Sequence, residues 1–362
     1  MRSIDFLIVG SGIAGLTVAD HLENDNQSFL IVDPFLEGHA SQQSSGVINP
    51  ITGRRFVKSW YYEIIKNYFL EFYSRIELKL NIKCIQEFKL IQKLNSPDEE
   101  NQWLARTADP EYSGYLDEFK ATEFQGTIHS KNQIYCLIKS MYVVDVNVLL
   151  NRWKEYFKSK SLYSNLKFEY CELSKVEHGY LWGDHEIKRG IIFCEGFRVV
   201  ENPYFSWLPI FKLKGEFLEF KAPLLNLDFV YKSEYVIVPL GNHRYWCGSN
   251  FDLQDASLKV TKIELQKQIE FLKANLKVPF EIEYHGFGIR PSSRDRRPVV
   301  GAHPGINNMF ILNGLGTKGF SIAPFCSKNL VDNILFNKEI LHTISINRFL
   351  QKGFIPQNPF LG

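Results

Sequence analysis

Charge is nearly cancelled in this chain of 362 residues: 42 Lys and Arg oppose 40 Asp and Glu, for a net +2. That balance gives no global electrostatic case for nucleic acid or an acidic membrane as partner. Cysteine is sparse. The six thiols (Cys84, Cys136, Cys171, Cys194, Cys247 and Cys326) are scattered and form no C-x-x-C pair. This spacing fits buried thiols in a reducing compartment better than a disulfide framework or a zinc site. The nine histidines show no H-E-x-x-H spacing, so no metal is expected. No apolar run approaches the ~18–20 residues needed to span a bilayer. The N-terminus carries one basic residue, Arg2, before a short apolar run that ends at a glycine turn, which reads as a core strand and not a signal peptide. A soluble, cytoplasmic protein is expected, without membrane partners, internal repeats or low-complexity tracts.

What is present begins at once. Ile4-Asp5-Phe6-Leu7-Ile8-Val9 runs into Gly10-Ser11-Gly12-Ile13-Ala14-Gly15, and a helix opens at Leu16. In such a G-x-G-x-x-G turn the first glycine permits the bend and the second lets the backbone approach a pyrophosphate. The third lets helix pack on strand, while the helix N-terminus faces the phosphates. A second apolar strand, Phe29-Leu30-Ile31-Val32, ends on Asp33, placed to accept from a ribose hydroxyl. Strand, glycines, helix, strand and acid fall in order within ~30 residues, which is the dinucleotide fingerprint. No Arg or Lys follows Asp33 through Gly38, so NADP is disfavoured, while NAD and FAD both remain.

The length predicts two domains, and an apolar fraction of 45% supplies a sizeable core. Ala40 to Pro50 is a polar loop of the kind that lies against a cofactor. Periodicity predicts helices over 60–80, from Asp145 as N-cap to 156, and over 260–276. Strands are expected over 84–92, 133–138 and 186–196, and an antiparallel set at 215–220, 235–239 and 244–248. Near the end, Asn308–Asn313 reads as a strand and Phe325–Leu335 as a helix.

The C-terminal third carries Gly288-Ile289-Arg290-Pro291, then Asp295-Arg296-Arg297-Pro298, then Gly314-Leu315-Gly316-Thr317-Lys318-Gly319-Phe320-Ser321-Ile322-Ala323-Pro324. With the N-terminal fingerprint and the Ser41–Gly46 loop, these motifs resemble the FAD-dependent glycine oxidase/D-amino-acid oxidase family along nearly the whole chain. Within it, Ser44–Pro50 and Gly314–Pro324 are similar to the oxidase half of the bifunctional enzymes that modify 5-carboxymethylaminomethyluridine in tRNA. The chain departs from the family pattern at Glu195, where a small residue is usual before the glycine.

The resemblance implies an α/β fold, α+β overall. It comprises a Rossmann-like FAD-binding domain (1–80, 140–213 and 285–345), a discontinuous antiparallel-sheet substrate domain (81–139 and 214–284), and a C-terminal extension (346–362). It implies FAD contacts from Gly10, Gly12, Ile13, Ala14, Gly15, Asp33, Ser41, Ser45, Gly46, Val47, Val176, Gly196, Gly314, Gly316, Thr317, Lys318 and Gly319. FAD should be non-covalent, because no cysteine lies between Cys247 and Cys326. Arg290 falls at the family's carboxylate-binding arginine, with a structural ion pair to Asp295 as the alternative. Lys318 adds charge at the flavin or faces solvent, and Tyr235 and Trp246 are expected on the substrate pocket wall. Oxidation of a C–N bond in an amino acid or secondary amine is the leading expectation. The alternatives are the same chemistry on a tRNA wobble uridine, which the net charge disfavours, a flavoprotein of another substrate class or without turnover, and an NAD-dependent dehydrogenase.

Overall fold

Phe6 to Val9 are all buried, so the strand that opens the chain runs through the interior of a sheet. The computed structural model describes residues 2–34, 36–119, 127–129 and 133–356. In it, Arg2–Val9 pairs in parallel with Phe29–Val32 on one side and His185–Phe193 on the other. Met309–Asn313 adds in parallel to His185–Phe193, and Tyr163–Ser164 to Phe29–Val32. The antiparallel hairpin Leu173–Val176/Gly179–Trp182 completes one flank, and Val299–Ala302 pairs antiparallel with Met309–Asn313. Alternate residues feed two cores. Phe6 and Ile8 face the helices Ile13–Asn24, Tyr62–Leu80 and Gly319–Phe336, whereas Leu7 and Val9 join Phe193, Phe205 and Ile311 on the opposite face.

The second sheet is antiparallel apart from one parallel pair. Its order is Glu281–Ser293, Ile210–Lys221, Arg244–Gly248, Val236–Gly241, Val230–Lys232, Ile85–Leu94, Ile134–Val144 and Val47–Ile48. Helix Lys262–Asn275, capped by Thr261, covers one face through Phe271 and Leu272. Asp145 caps Val146–Ser159 as expected, its carboxylate accepting from Val148 N at 2.9 Å.

Three elements differ from the sequence reading. Glu281–Ser293 is a continuous strand, an element the sequence reading did not assign. The glycines are needed there because the Phe217 ring lies over Gly286 and the Gln43 side chain over Gly288. The last long helix starts at Gly319, not Phe325, and runs through Pro324. The carbonyl that proline cannot bond, that of Phe320, accepts instead from Tyr73 Oη at 2.6 Å. Ile134–Val144 extends six residues past the expected end through a register shift opposite Phe88–Leu90.

The C-terminal segment packs against the body, with Ile346 and Phe349 each 1% exposed. From residue 357 onward the C-terminal extension lies outside the described residues. Among the described residues no helix is long and apolar enough to cross a membrane.

Candidate active site

The registers align Val9, Val32, Phe193 and Ile311 at one edge of the parallel sheet. Each strand leads there into a functional segment: Gly10–Gly15, Asp33, Cys194–Gly196 and Asn313–Gly319. Crevices outside the carboxyl ends of parallel strands are where such folds bind nucleotides. A cavity of about 1370 Å³ opens at this edge and extends beneath the antiparallel sheet to Gly215, Phe217, Trp246 and Arg290. That exceeds the ~300–1,000 Å³ of a drug-sized pocket, leaving space for a dinucleotide and a small substrate together.

The glycine turn is built tightly. Gly10 has φ +104°, and a side chain on it would strike the Cys194 carbonyl, while one on Gly15 would strike the Gly10 carbonyl. Asp33 accepts from Ser11 N at 2.6 Å and Ser11 Oγ at 2.8 Å, which fixes its carboxylate at the end of the second strand. Ser41 Oγ accepts from Ile13 N at 3.0 Å and so brings the Ala40–Asn49 loop onto the helix N-terminus. Gly10, Gly12, Ile13, Ala14, Asp33, Ser41, Ser45, Val47 and Gly196 line the cavity. Gly15 and Gly46 stand behind it as close-packing positions, Gly46 against the backbone of Val144.

Gly314, Gly316, Thr317, Lys318 and Gly319 line the far wall. Three amides of this loop are already engaged: Gly314 N with Asn313 Oδ1 at 2.8 Å, Gly316 N with the Pro291 carbonyl at 2.9 Å, and Lys318 N with the Leu315 carbonyl at 3.1 Å. In the first turn of helix Gly319–Phe336, whose N-terminus borders the cavity, Ser321 N and Ile322 N are bonded to the Lys318 carbonyl at 3.1 Å, so among the described residues that turn offers Gly319 N and Phe320 N to a ligand. Lys318 is half-buried there; burial, then the neighbouring Arg297 and Arg296, hold its ammonium below the usual lysine range.

Arg290 projects from Glu281–Ser293 across Gly215, whose missing side chain leaves the space its guanidinium occupies. Nη1 donates to the Asn250 carbonyl at 3.2 Å, Nη2 donates to Ser249 Oγ, and the Phe251 ring stacks on the group at 4.8 Å. Among the described residues no carboxylate lies within ion-pair distance of it. The expected alternative partner, Asp295, is bound by Arg348. Burial draws Arg290 down to about 10, so it stays charged at neutral pH. Trp246 forms the adjoining wall, stacked on Phe217 at 5.3 Å with its Nε1 unpaired among the described residues.

Two further expected contacts fall away from the wall. Val176 pairs with Gly179 at the turn of its hairpin, and the preceding residues 167–170 line the cavity instead. Tyr235 turns to the other face of its sheet, donating to Glu264 Oε1 at 2.8 Å and packing on Phe271. The sequence reading missed Ser249, Asn250 and Phe251, whose signal was only their place after a strand ending in glycine. It also missed His39, held below its usual range by burial and 3.9 Å from Asp33, and the network in which Tyr170 Oη and Asn202 Nδ2 donate to Glu195 at 2.5 and 2.7 Å.

Comparison with known proteins agrees with this geometry. Glycine oxidase from Geobacillus kaustophilus superposes with a TM-score of 0.79 at 17% identity, over 94% of this chain and 96% of that one. Iminodiacetate oxidase from Chelativorans sp. BNC1 gives 0.75 at 19% identity, over 94% and 98%. At such identities the shared feature is the fold. The tRNA 5-methylaminomethyl-2-thiouridine biosynthesis bifunctional protein MnmC of Idiomarina loihiensis is 26% identical over 153 residues, 39% of this chain and 25% of that protein. The chain thus matches about a quarter of that relative's length. Residues 165–333 match the family described as FAD dependent oxidoreductase, DAO. Residues 165–333 therefore resemble a DAO-type FAD-dependent oxidoreductase domain, and the cofactor is FAD.

Proposed function

We propose that this protein oxidises the C–N bond of a small carboxylate-bearing amine, an amino acid or an N-substituted glycine. The observation that carries this reading is Arg290, a charged guanidinium on the cavity wall that no acid among the described residues neutralises. Its fork suits a carboxylate bidentately, and Ser249 and Asn250 already fix its plane. Phe217 and Trp246 would pack on the substrate and exclude water from the reacting carbon. We infer that the first sheet holds the non-covalent cofactor, Asp33 at the ribose and Gly10–Ala14 at the pyrophosphate, and that the antiparallel sheet supplies the substrate pocket. When bound, FAD would supply the hydride acceptor for the carbon beside the neutral amine, the resulting imine being hydrolysed by water. Lys318 and the N-terminus of helix Gly319–Phe336 would place positive potential at that end of the cavity, favouring developing negative charge.

A second reading extends the substrate to a wobble uridine bearing a carboxymethylamino group. It is favoured by the partial match to MnmC and by Arg294 and Arg296, which join Lys318 on the cavity wall. The small-molecule reading stands first because the chain as a whole has a net charge of only +2.

The test is anaerobic bleaching of the FAD-loaded protein by amino acids, N-methylglycines and hypomodified tRNA. Arg290→Ala should retain flavin and fold, yet lower kcat/KM roughly 10- to 150-fold on carboxylate amines and little on amines lacking the group. Equal losses on both classes in a destabilised protein would remove Arg290 from the active site.

A further inference from the structure

We propose that residues 249–261 form a strap that presets Arg290, and that Lys214 and Asp255 are positioning residues acting through it. The inference rests on the reading of Arg290 as a carboxylate clamp.

The segment leaves the end of strand Arg244–Gly248 and returns to the protein at Thr261, the cap of helix Lys262–Asn275. Among the described residues its first residues make the hydrogen bonds on the Arg290 guanidinium, and Phe251 stacks on that group. The strap has little apolar burial of its own, since Phe251 and Leu253 are each 68% exposed and Leu258 is 40% exposed. Hydrophobic packing therefore does not hold it in place. Polar stitches do, and they converge on Lys214-Gly215-Glu216.

The Lys214 backbone exchanges two hydrogen bonds with Asp252, at 2.9 and 3.0 Å. Glu216 N donates to Asn250 Oδ1 at 2.7 Å, and Glu216 Oε2 accepts from Thr261 N at 2.8 Å. The Lys214 side chain is 1% exposed. Its Nζ donates to Asp255 Oδ2 at 2.5 Å and to the Lys259 carbonyl, and lies 3.3 Å from Glu216 Oε1. A buried ammonium loses hydration and must recover it from fixed acceptors, and two of these acceptors belong to the strap. Lys214 and Asp255 are absent from the cavity wall, whereas Ser249, Phe251 and Leu253 line it. The pair thus reaches the substrate only through the strap.

The geometry has a functional consequence. A guanidinium recognises a carboxylate strongly when its plane is fixed before the ligand arrives, because little rotamer freedom then remains to be lost. Releasing the strap should free Ser249 and Asn250 from Arg290. Affinity for a carboxylate should fall while Arg290 itself remains.

The experiment titrates FAD-loaded protein with glycolate and with glycolamide, its uncharged counterpart, following the flavin absorption band. Asp255→Ala removes the more exposed partner and should fold normally. It should weaken glycolate binding about five- to tenfold and leave glycolamide within about twofold, with unchanged flavin content. Lys214→Met should act in the same direction. Arg290→Ala serves as the reference. If it leaves glycolate binding intact, the carboxylate reading itself fails. If it abolishes the preference for glycolate while Asp255→Ala and Lys214→Met bind both ligands like wild type, the strap proposal alone is overturned. Losses equal on both ligands, or tracking lost flavin, assign Lys214 to the fold and also overturn it.

Discussion

Asp295 is bound by Arg348, whose Nε lies 2.9 Å from Oδ2 and whose Nη2 lies 3.1 Å from Oδ1. Arg348 also donates to the carbonyls of Ile344 and Ser345 at 2.9 Å, so this pair ties the C-terminal segment to the turn after strand Glu281–Ser293. The acid five residues beyond Arg290 is thereby occupied, which leaves Arg290 to the cavity.

Asp295→Ala should accordingly cost stability rather than recognition. The side chain of Arg348 is only 6% exposed, and stranding it should destabilise the protein by ~2–4 kcal/mol, read as a lower denaturant midpoint. Burial pushes the Asp295 carboxyl up, but the hydrogen bond and charge of Arg348 outweigh it and bring the group to about 2. Its folded value lies below the ordinary 3.8, so its contribution is complete above 3.8 and fades as pH falls toward 2. The gap between wild type and variant should be full at neutral pH and narrow in acid. Glycolate affinity of folded, FAD-loaded variant should stay within about twofold of wild type; a tenfold loss would mean that Asp295 shapes the site after all.

Two glycines of the same turn should fail differently. A side chain on Gly12 would stand 3.0 Å from Ser41 Oγ, at the cavity wall, whereas one on Gly15 would collide with the Gly10 carbonyl inside the helix–strand contact. Gly12→Val should yield folded protein that does not retain FAD on gel filtration. Gly15→Val should lose the fold itself, seen as insoluble or unfolded chain. Normal flavin content in Gly12→Val would show that the turn does not hold the dinucleotide.

These contrasts mark where the sequence was legible. The parallel core could be read because Phe6–Val9 and Phe29–Val32 are uninterrupted apolar runs closed by glycine and aspartate. Glu281–Ser293 was obscured because Gly286 and Gly288 serve neighbours far away in sequence, Phe217 and Gln43, and local pattern carries no trace of them. Pro324 concealed the first turn of its helix because the compensating hydroxyl comes from Tyr73. Within the site, Arg290, Lys318, Asp33 and both glycine turns could be named from motifs. Tyr235 could not be separated from Trp246, because choosing the face of an antiparallel strand requires knowing which side Phe271 covers. The strap had no pattern at all, since its order comes from Lys214 and Glu216 and not from its own composition.

Glu195 supplies the remaining test. Glu195 follows strand His185–Phe193 with its Cα against Gly10 and lines the same cavity, and burial raises its carboxyl to about 7 against the opposing bonds from Tyr170 and Asn202. Arg198 opposes the rise and Glu201 reinforces it. The folded value is above the ordinary 4.5, so the unfolded chain releases this proton first. Stability from this group is complete below 4.5 and declines as pH rises through about 7, by on the order of 3 kcal/mol in all. Glu195→Gln mimics the protonated form. Its Nε2 can donate to Tyr170 while its carbonyl accepts from Asn202, whose own Oδ1 is already bound by the amides of Tyr204 and Phe205. In FAD-free protein the denaturant midpoint of wild type, relative to Glu195→Gln, should therefore fall between pH 5 and 8. Parallel curves would mean that Glu195 is already ionised in the folded protein. A neutral carboxyl also suits its place, because a fixed negative charge beside the Gly10 turn would oppose the diphosphate expected there. The same substitution should consequently flatten any loss of FAD affinity that wild type shows as pH rises through about 7.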